Sequence, residues 1–200
     1  MKYVKELVER YPVLAPCAPS VEEAVELLTD MHLFGNKLLI AGNGGSAADA
    51  SHISGELLKG FLLKRPYENQ EEPFCKMQQG VAAIPLNCFD ALLSAYANDV
   101  DADYCYAQLV GALGREGDVF MGLSTSGNAK NVTLAVLAAK ELGLVTVGLT
   151  GAGGGKLAEL CDLCIRVPET ETFKIQELHL PVYHAICAQV EANLYEVESQ

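Results

Sequence analysis

Positive charge is scarce in this chain. Lys and Arg number 14 against 26 Asp and Glu, leaving a formal net charge of −12. A protein that wraps a nucleic-acid backbone presents a basic face, and no stretch supplies one, so nucleic acid is excluded as a partner. Long apolar runs are missing too: each breaks well before the roughly 18 residues that suggest a membrane span. The start, MKYVKELVERY, is charged and amphipathic, so no signal peptide is expected. The seven cysteines (17, 75, 88, 105, 161, 164 and 187) are scattered and odd in number. They read as buried, reduced thiols of a cytosolic protein. Cys161-Asp162-Leu163-Cys164 has a redox spacing but leads straight into an apparent buried strand, LCIRV, so packing is expected over redox or metal chemistry. What is present is ordinary for a globular protein: 200 residues, 50% hydrophobic and 20% charged, enough for one domain with a sizeable core.

The chain is organised around Leu38 to Phe61, LLIAGNGGSAADASHISGELLKGF. Leu38-Leu39-Ile40-Ala41 is too short for a helix and apolar on both faces, as a parallel strand buried on both sides is. It stops at Gly42-Asn43-Gly44-Gly45-Ser46, where glycines permit a sharp turn and close approach of a ligand. A helix of small residues follows, and its start offers unpaired N–H groups and a positive dipole end to an anion such as phosphate. Further along, His52 and Glu56 lie four apart, on one helix face. That spacing also suits metal chelation.

The remaining elements fall around this unit. Lys2 to Arg10 is an amphipathic helix. Ser20-Val21-Glu22-Glu23 reads as a capping box opening a second helix, with Val21, Ala24, Val25 and Leu28 at helical spacing. Both helices precede the first strand, so their apolar faces need partners outside a simple βαβ unit, and use in subunit packing is expected of residues 1–34. Lys64 to Gly80 is polar, aperiodic and holds two prolines; it reads as a loop that lines or covers a site. Further strands are expected at Val81–Pro85, Asp118–Leu123, Leu144–Leu149 and Leu163–Val167. Helices are expected at Asp90–Ala97, ended by Ala97-Asn98-Asp99, at Asp103–Leu113, and at Ala129–Leu142 with Gly143 as its left-handed cap. From Thr172 one helix runs to about Glu198, kinked at Pro181. Five buried strands alternating with helices predict an α/β fold with a single doubly wound, five-stranded parallel sheet and extra N-terminal helices. Ligands bind such sheets beyond the carboxyl ends of the strands, where the loops at 42–46 and 124–128 lie.

Ser124-Thr125-Ser126-Gly127-Asn128 brings three hydroxyls and several main-chain amides together, able to surround a phosphate without lysine or arginine. A plain helix cap needs only one hydroxyl. Gly42 to Ala47 also fits G-x-G-x-x-A, but the next strand ends Ile84-Pro85-Leu86-Asn87, without the carboxylate a dinucleotide's ribose wants. A Walker loop at Lys156 fails because its first position is Thr150 and Leu157 follows the lysine.

Taken together, GNGGSAADASHISGELL (42–58), AND (97–99), GLSTSGNAKNV (122–132), VGLTGAGGGKLAELCDLCIRVPETET (147–172) and IQELHLPVYHAICAQVE (175–191) resemble the sugar isomerase (SIS) domain family, in the branch of the phosphoheptose isomerases. The resemblance covers most of the chain in order and spacing. It implies a cytoplasmic aldose–ketose isomerase of phosphosugars, sedoheptulose 7-phosphate in this branch, working through an enediol. It places phosphate and substrate at Asn43, Gly44, Gly45, Ser46, Asp49, Asp99, Ser124, Thr125, Ser126, Asn128 and Gln176. It also implies a Zn2+ ion on His52, Glu56, Gln176 and His184, an acid/base pair in Glu56 and His184, and a homotetramer with sites between subunits. Enediol chemistry needs a base near the carbon, an acid near the carbonyl oxygen and positive charge on the developing oxyanion. Gln176 and His184 are eight apart, roughly 12 Å along an unbroken helix, so either Pro181 bends the helix or the two serve sites in different subunits; shared subunits is the preferred reading. The sequence departs from the family at Asn87-Cys88-Phe89-Asp90, where Thr-Thr-Asp-Thr is common, at Ala129 for serine, at Lys174 for arginine, and in the longer 64–80 loop. These changes lie around the sugar rather than the phosphate. The second hypothesis is a non-catalytic SIS protein that binds a sugar phosphate or a partner protein, as a DnaA-binding relative of this branch does, and a nucleotide binder is the third. A role in binding alone has no need of the His52, Glu56, Gln176 and His184 constellation.

Overall fold

The computed structural model describes residues 1–196; the end of the last expected helix, from 197 to about Glu198, lies outside the described residues. Strands β1 (Leu38–Ala41), β2 (Ala83–Pro85), β3 (Val119–Leu123), β4 (Val145–Thr150) and β5 (Leu163–Arg166) form one parallel sheet in the order β2-β1-β3-β4-β5. Helices α1 (Lys2–Arg10), α2 (Ala18–Leu33), α3 (Gly45–Leu58), α4 (Asp90–Tyr96), α5 (Cys105–Leu113), α6 (Lys130–Glu141), α7 (Gly155–Leu160) and α8 (Thr172–Tyr195) flank it. Every residue of β1 and β3 is buried, which is why these strands read as unbroken apolar runs.

The period-2 alternation of the strands divides the core in two. Leu38, Ile40, Met121 and Leu123 face a core shared with α1, α2, α3 and α8, while Leu39, Ala41 and Phe120 face one shared with α5, α6 and α7. Val4, Leu7, Val21, Val25 and Leu28 belong to the first core and are at most 4% exposed. The N-terminal helices therefore find partners within the protomer, against α8 and the sheet, and the need for an outside partner that the sequence suggested does not arise from these faces. At the end of α2, Leu33 and the capping residue Phe34 are 69% and 80% exposed.

Two local expectations change. Ser20 and Glu23 form no capping box: a 3-10 turn over Pro12–Cys17 runs straight into α2, whose cap is Cys17 with helical backbone angles, so Ser20 already lies inside the helix. Ala97-Asn98-Asp99 does not stop a helix. Residues Ala97–Asp101 continue α4 as a wide π turn, followed by a 3-10 turn at Ala102–Tyr104. Pro181 lies inside α8, which continues through it from Thr172 to Tyr195. The left-handed end of α6 is as expected: Gly143 has φ +76°, its N–H donates to the Lys140 carbonyl, and Leu144 N–H donates back to Ala139, the Schellman pairing. The 64–80 loop folds back on itself through an antiparallel bridge between Pro66 and Gln78.

Candidate active site

Strand order reverses between β1 and β3, the place where a doubly wound sheet leaves a crevice at its carboxyl edge. The loops that follow these strands meet there. Asn43 and Asn131 exchange two side-chain hydrogen bonds, both 2.9 Å, tying one loop to the first turn of α6. Gly44 and Gly127 have φ of +56° and +68°, left-handed angles that favour glycine. At Gly127 the space is filled as well, since a Cβ would lie 1.9 Å from the Gly154 carbonyl oxygen. Ser46 and Ser124 are buried. Ser124 Oγ accepts from the Ala129 N–H at 3.4 Å and Ser126 Oγ from the Asn128 N–H at 3.2 Å, while Asn128 Oδ1 accepts from Lys156 N–H. The hydroxyls of Ser124 and Ser126 thus shape the 124–128 loop by accepting from the main-chain amides of Ala129 and Asn128. Ser46 stands in the first turn of α3 and the loop leads into α6, the helix starts where unpaired N–H groups collect.

Further along α3, a second constellation forms with α8. His52 Nε2 lies 3.1 Å from Glu56 Oε1 and 3.3 Å from His184 Nε2. One ligand atom from each of the three lies within 4.8 Å of the others. Behind them, the Tyr183 hydroxyl donates to Asp49 Oδ1 at 3.3 Å and meets His52 Nδ1 at 3.0 Å. With that proton spent on Asp49, the phenol oxygen accepts from Nδ1–H, which leaves the His52 Nε2 lone pair aimed at a carboxylate oxygen and a second imidazole. A carboxylate oxygen and two imidazole nitrogens converge there. A cation fits this donor set, and the Asp49–Tyr183–His52 chain is the kind of outer support that orients a metal-binding imidazole. Burial holds the His184 imidazole below its ordinary pKa and raises that of Asp49, whose Oδ2 is buried with no partner among the described residues. Glu56 Oε2 faces Lys59 Nζ at 3.3 Å. His184 also walls a groove of about 380 Å³ between α1 and α8.

The structure thus brings His52, Glu56 and His184 together within one protomer, with Asp49 behind them. Gln176 is elsewhere: its side-chain amide packs against Gly45, where a Cβ would lie 2.7 Å from Nε2. In a continuous α8 it stands roughly 12 Å from His184 along the axis. Asp99 is exposed on the π turn, accepting from Asn98, and joins neither group. Sequence reasoning missed Tyr183 and Asn131. The first had a signal, since a buried tyrosine hydroxyl beside a candidate ligand needs a partner. Cys161 and Cys164 flank Gly148, and burial pushes their thiols up to about 12 and about 11. Thiolate is therefore scarce, in keeping with packing.

The sequence pattern of the SIS domain matches residues 2–151. A phosphoheptose isomerase of Rhodospirillum rubrum is 44% identical over 90% of this chain and 89% of its own length. Phosphoheptose isomerase 2 of Campylobacter jejuni is 46% identical over 80% of this chain and 74% of its own. Among solved structures, a phosphoheptose isomerase from Neisseria gonorrhoeae superposes with a TM-score of 0.77 at 35% identity, covering 94% of this chain and 91% of that one.

Proposed function

The chain belongs to the SIS domain family, in its phosphoheptose isomerase branch, and from that premise we propose that it is an aldose–ketose isomerase acting on sedoheptulose 7-phosphate. The observation that carries the reading is the meeting of His52, Glu56 and His184 two turns of helix beyond a phosphate cradle. The cradle, Asn43 to Ser46 with Ser124, Thr125, Ser126 and Asn128, holds the phosphoryl group through hydroxyls and main-chain amides. This suits a protein of net charge −12 that places no arginine in these two loops.

The chemistry then falls to Glu56 and His184. Glu56 takes the proton from the carbon beside the carbonyl, and His184 gives a proton to the carbonyl oxygen, forming the enediol. Returning the first proton to the former carbonyl carbon, and removing one from the hydroxyl of the carbon that first lost it, gives the isomer with no net gain or loss of atoms. His52, Glu56 and His184 would hold the metal, Zn2+ by the chemistry of the donors, which when bound supplies positive charge to the developing oxyanion. Glu56 has two oxygens for its two duties: Oε1 toward the imidazoles and Oε2 on the Lys59 side. Asp49 and Tyr183 fix the tautomer of His52.

The assembly is a cytoplasmic homotetramer of single-domain chains, 1–200, with residues 1–34 contributing to its packing. Gln176 completes a ligand set only by reaching a neighbouring protomer's cluster. Metal analysis of the purified protein, with turnover of sedoheptulose 7-phosphate and a panel of other ketose phosphates, tests the reading. Protein that carries no metal and turns over none of them leaves a phosphate-binding SIS protein without catalysis.

A further inference from the structure

Seven residues beyond His184 on α8, Glu191 is fully buried, as is the Arg65 with which it pairs. Its carboxylate accepts four donors from one segment. Oε1 takes the Phe61 N–H at 2.8 Å and Arg65 Nε at 2.7 Å, and Oε2 takes the N–H groups of Leu62 at 2.6 Å and Leu63 at 3.0 Å. Arg65 in turn donates to the Leu57 carbonyl at the end of α3, stacks over Tyr195, and receives the Gln79 N–H on its own carbonyl. Burying such a pair costs several kcal/mol per ion before its attraction offsets this, and an apolar pair often serves stability as well. Stability alone is thus a weak reason for it. The segment it grips begins with Phe61, whose ring lies 5.6 Å from the His184 imidazole at 37°.

We propose that Glu191 and Arg65 are positioning residues for the isomerisation: they clamp residues 61–63 in one bend, and so hold the Phe61 ring against His184, fixing the imidazole where it meets His52 and Glu56. The clamp is needed because the chain leaves α3 at Lys59 in extended form, with three successive amides that no helix or strand satisfies. One carboxylate gathers all three. This inference rests on His184 acting in the site as proposed above.

The test compares Glu191→Gln, Phe61→Ala, the double variant and Phe61→Tyr as full-length proteins. Expected is a fall in kcat on the ketose phosphate of about 10- to 100-fold for Glu191→Gln and for Phe61→Ala, with little change in KM. The double variant should be no worse than Glu191→Gln, and Phe61→Tyr should restore most of the rate. In NMR spectra of histidine-labelled protein, assigned with His184→Ala, the His184 ring protons should lose the shielding of the Phe61 ring in Glu191→Gln and Phe61→Ala alike. Unmoved His184 signals, additive rate losses, or an unchanged kcat per folded molecule would overturn the proposal. Should Glu191→Gln not fold, Phe61→Ala and Phe61→Tyr decide the matter, since unaltered signals and rate in Phe61→Ala sink it. The spectra need no turnover, so a wild-type protein without isomerase activity counts against the functional reading while the clamp is judged separately.

Discussion

His179 sits on α8 between the two constellations and serves neither directly. It is 0% exposed, and neither ring nitrogen finds a hydrogen-bond partner among the described residues. The Thr150 backbone is near enough to favour the charged form slightly, but burial outweighs it and takes the imidazole down to about 4. Unfolded, the same group titrates near 6.5. A depressed folded value means stability that is complete above about pH 6.5 and lost as pH falls toward 4, because the unfolded chain takes up the proton first. The whole effect is about 3 kcal/mol, and about 2 kcal/mol of it falls between pH 7.5 and pH 5. Urea unfolding of wild type and His179→Leu at matched protein concentration, across that range, isolates the contribution from the carboxylates and other histidines that also titrate. The variant should be at least as stable at pH 7.5, where it removes an unpaired buried imidazole, and should lose about 2 kcal/mol less on going to pH 5. Parallel stability curves for the two proteins would refute the reasoning and mean that His179 is hydrated or paired in solution.

Three further outcomes follow from the site. Tyr183→Phe removes the donor on Asp49 and the partner of His52 Nδ1, so zinc affinity, read by chelator competition, should fall about 10- to 100-fold. Gly127→Ala meets both a left-handed φ and the Gly154 carbonyl; a loss of about 2 kcal/mol or more is expected in thermal unfolding, together with loss of the thermal stabilisation that ketose phosphate gives the wild type. Mixing Glu56→Gln with His184→Ala protomers should restore no activity, because both side chains serve the cluster of their own chain. Mixing Glu56→Gln with Gln176→Ala should restore some if Gln176 acts across subunits, and hybrids silent in that case too would remove it from the ligand set.

Much of the fold was legible because its signals are local. The unbroken apolar runs at Leu38–Ala41 and Val119–Leu123 can only be strands covered on both faces, and Gly143 ends α6 by its own backbone freedom. The misreadings were also local, and context overrode them. Ser20 and Glu23 have the right spacing for a cap, but the turn from Pro12 to Cys17 delivers the chain to α2 already helical, leaving no extended residue to cap from. Asn98 and Asp99 look like a helix stop, yet the backbone widens into a π turn instead. The site divides in the same way. His52 and Glu56 announce themselves by spacing within one helix. The Tyr183 hydroxyl and the Glu191–Arg65 pair act across more than 100 positions of sequence, and no periodicity records which distant residue will fill a gap.

The eight-residue spacing of Gln176 and His184 looked like an obstacle to one shared metal, and the structure turns that spacing into a ruler. Gln176 lies beside Gly45 and His184 beside His52, so seven steps along α3 run beside eight along α8, and the two helices advance together from the proposed phosphate cradle toward the proposed acid/base pair. At 1.5 Å per residue the two ends are about 10 Å apart along α3. On the proposed roles, the hydroxyls and amides of the cradle would recognise only the phosphoryl group, which every phosphosugar has, whereas Glu56 and His184 would act only on a carbonyl that reaches them. Length selection therefore needs no contact with the middle of the sugar. A triose phosphate should occupy the cradle and compete with substrate, yet leave its carbonyl short of Glu56 and undergo no proton exchange with solvent deuterium. Isotope exchange into a triose at a rate near that of a heptose phosphate would show that chemistry takes place at the cradle end, and that the His52, Glu56 and His184 cluster has some other use.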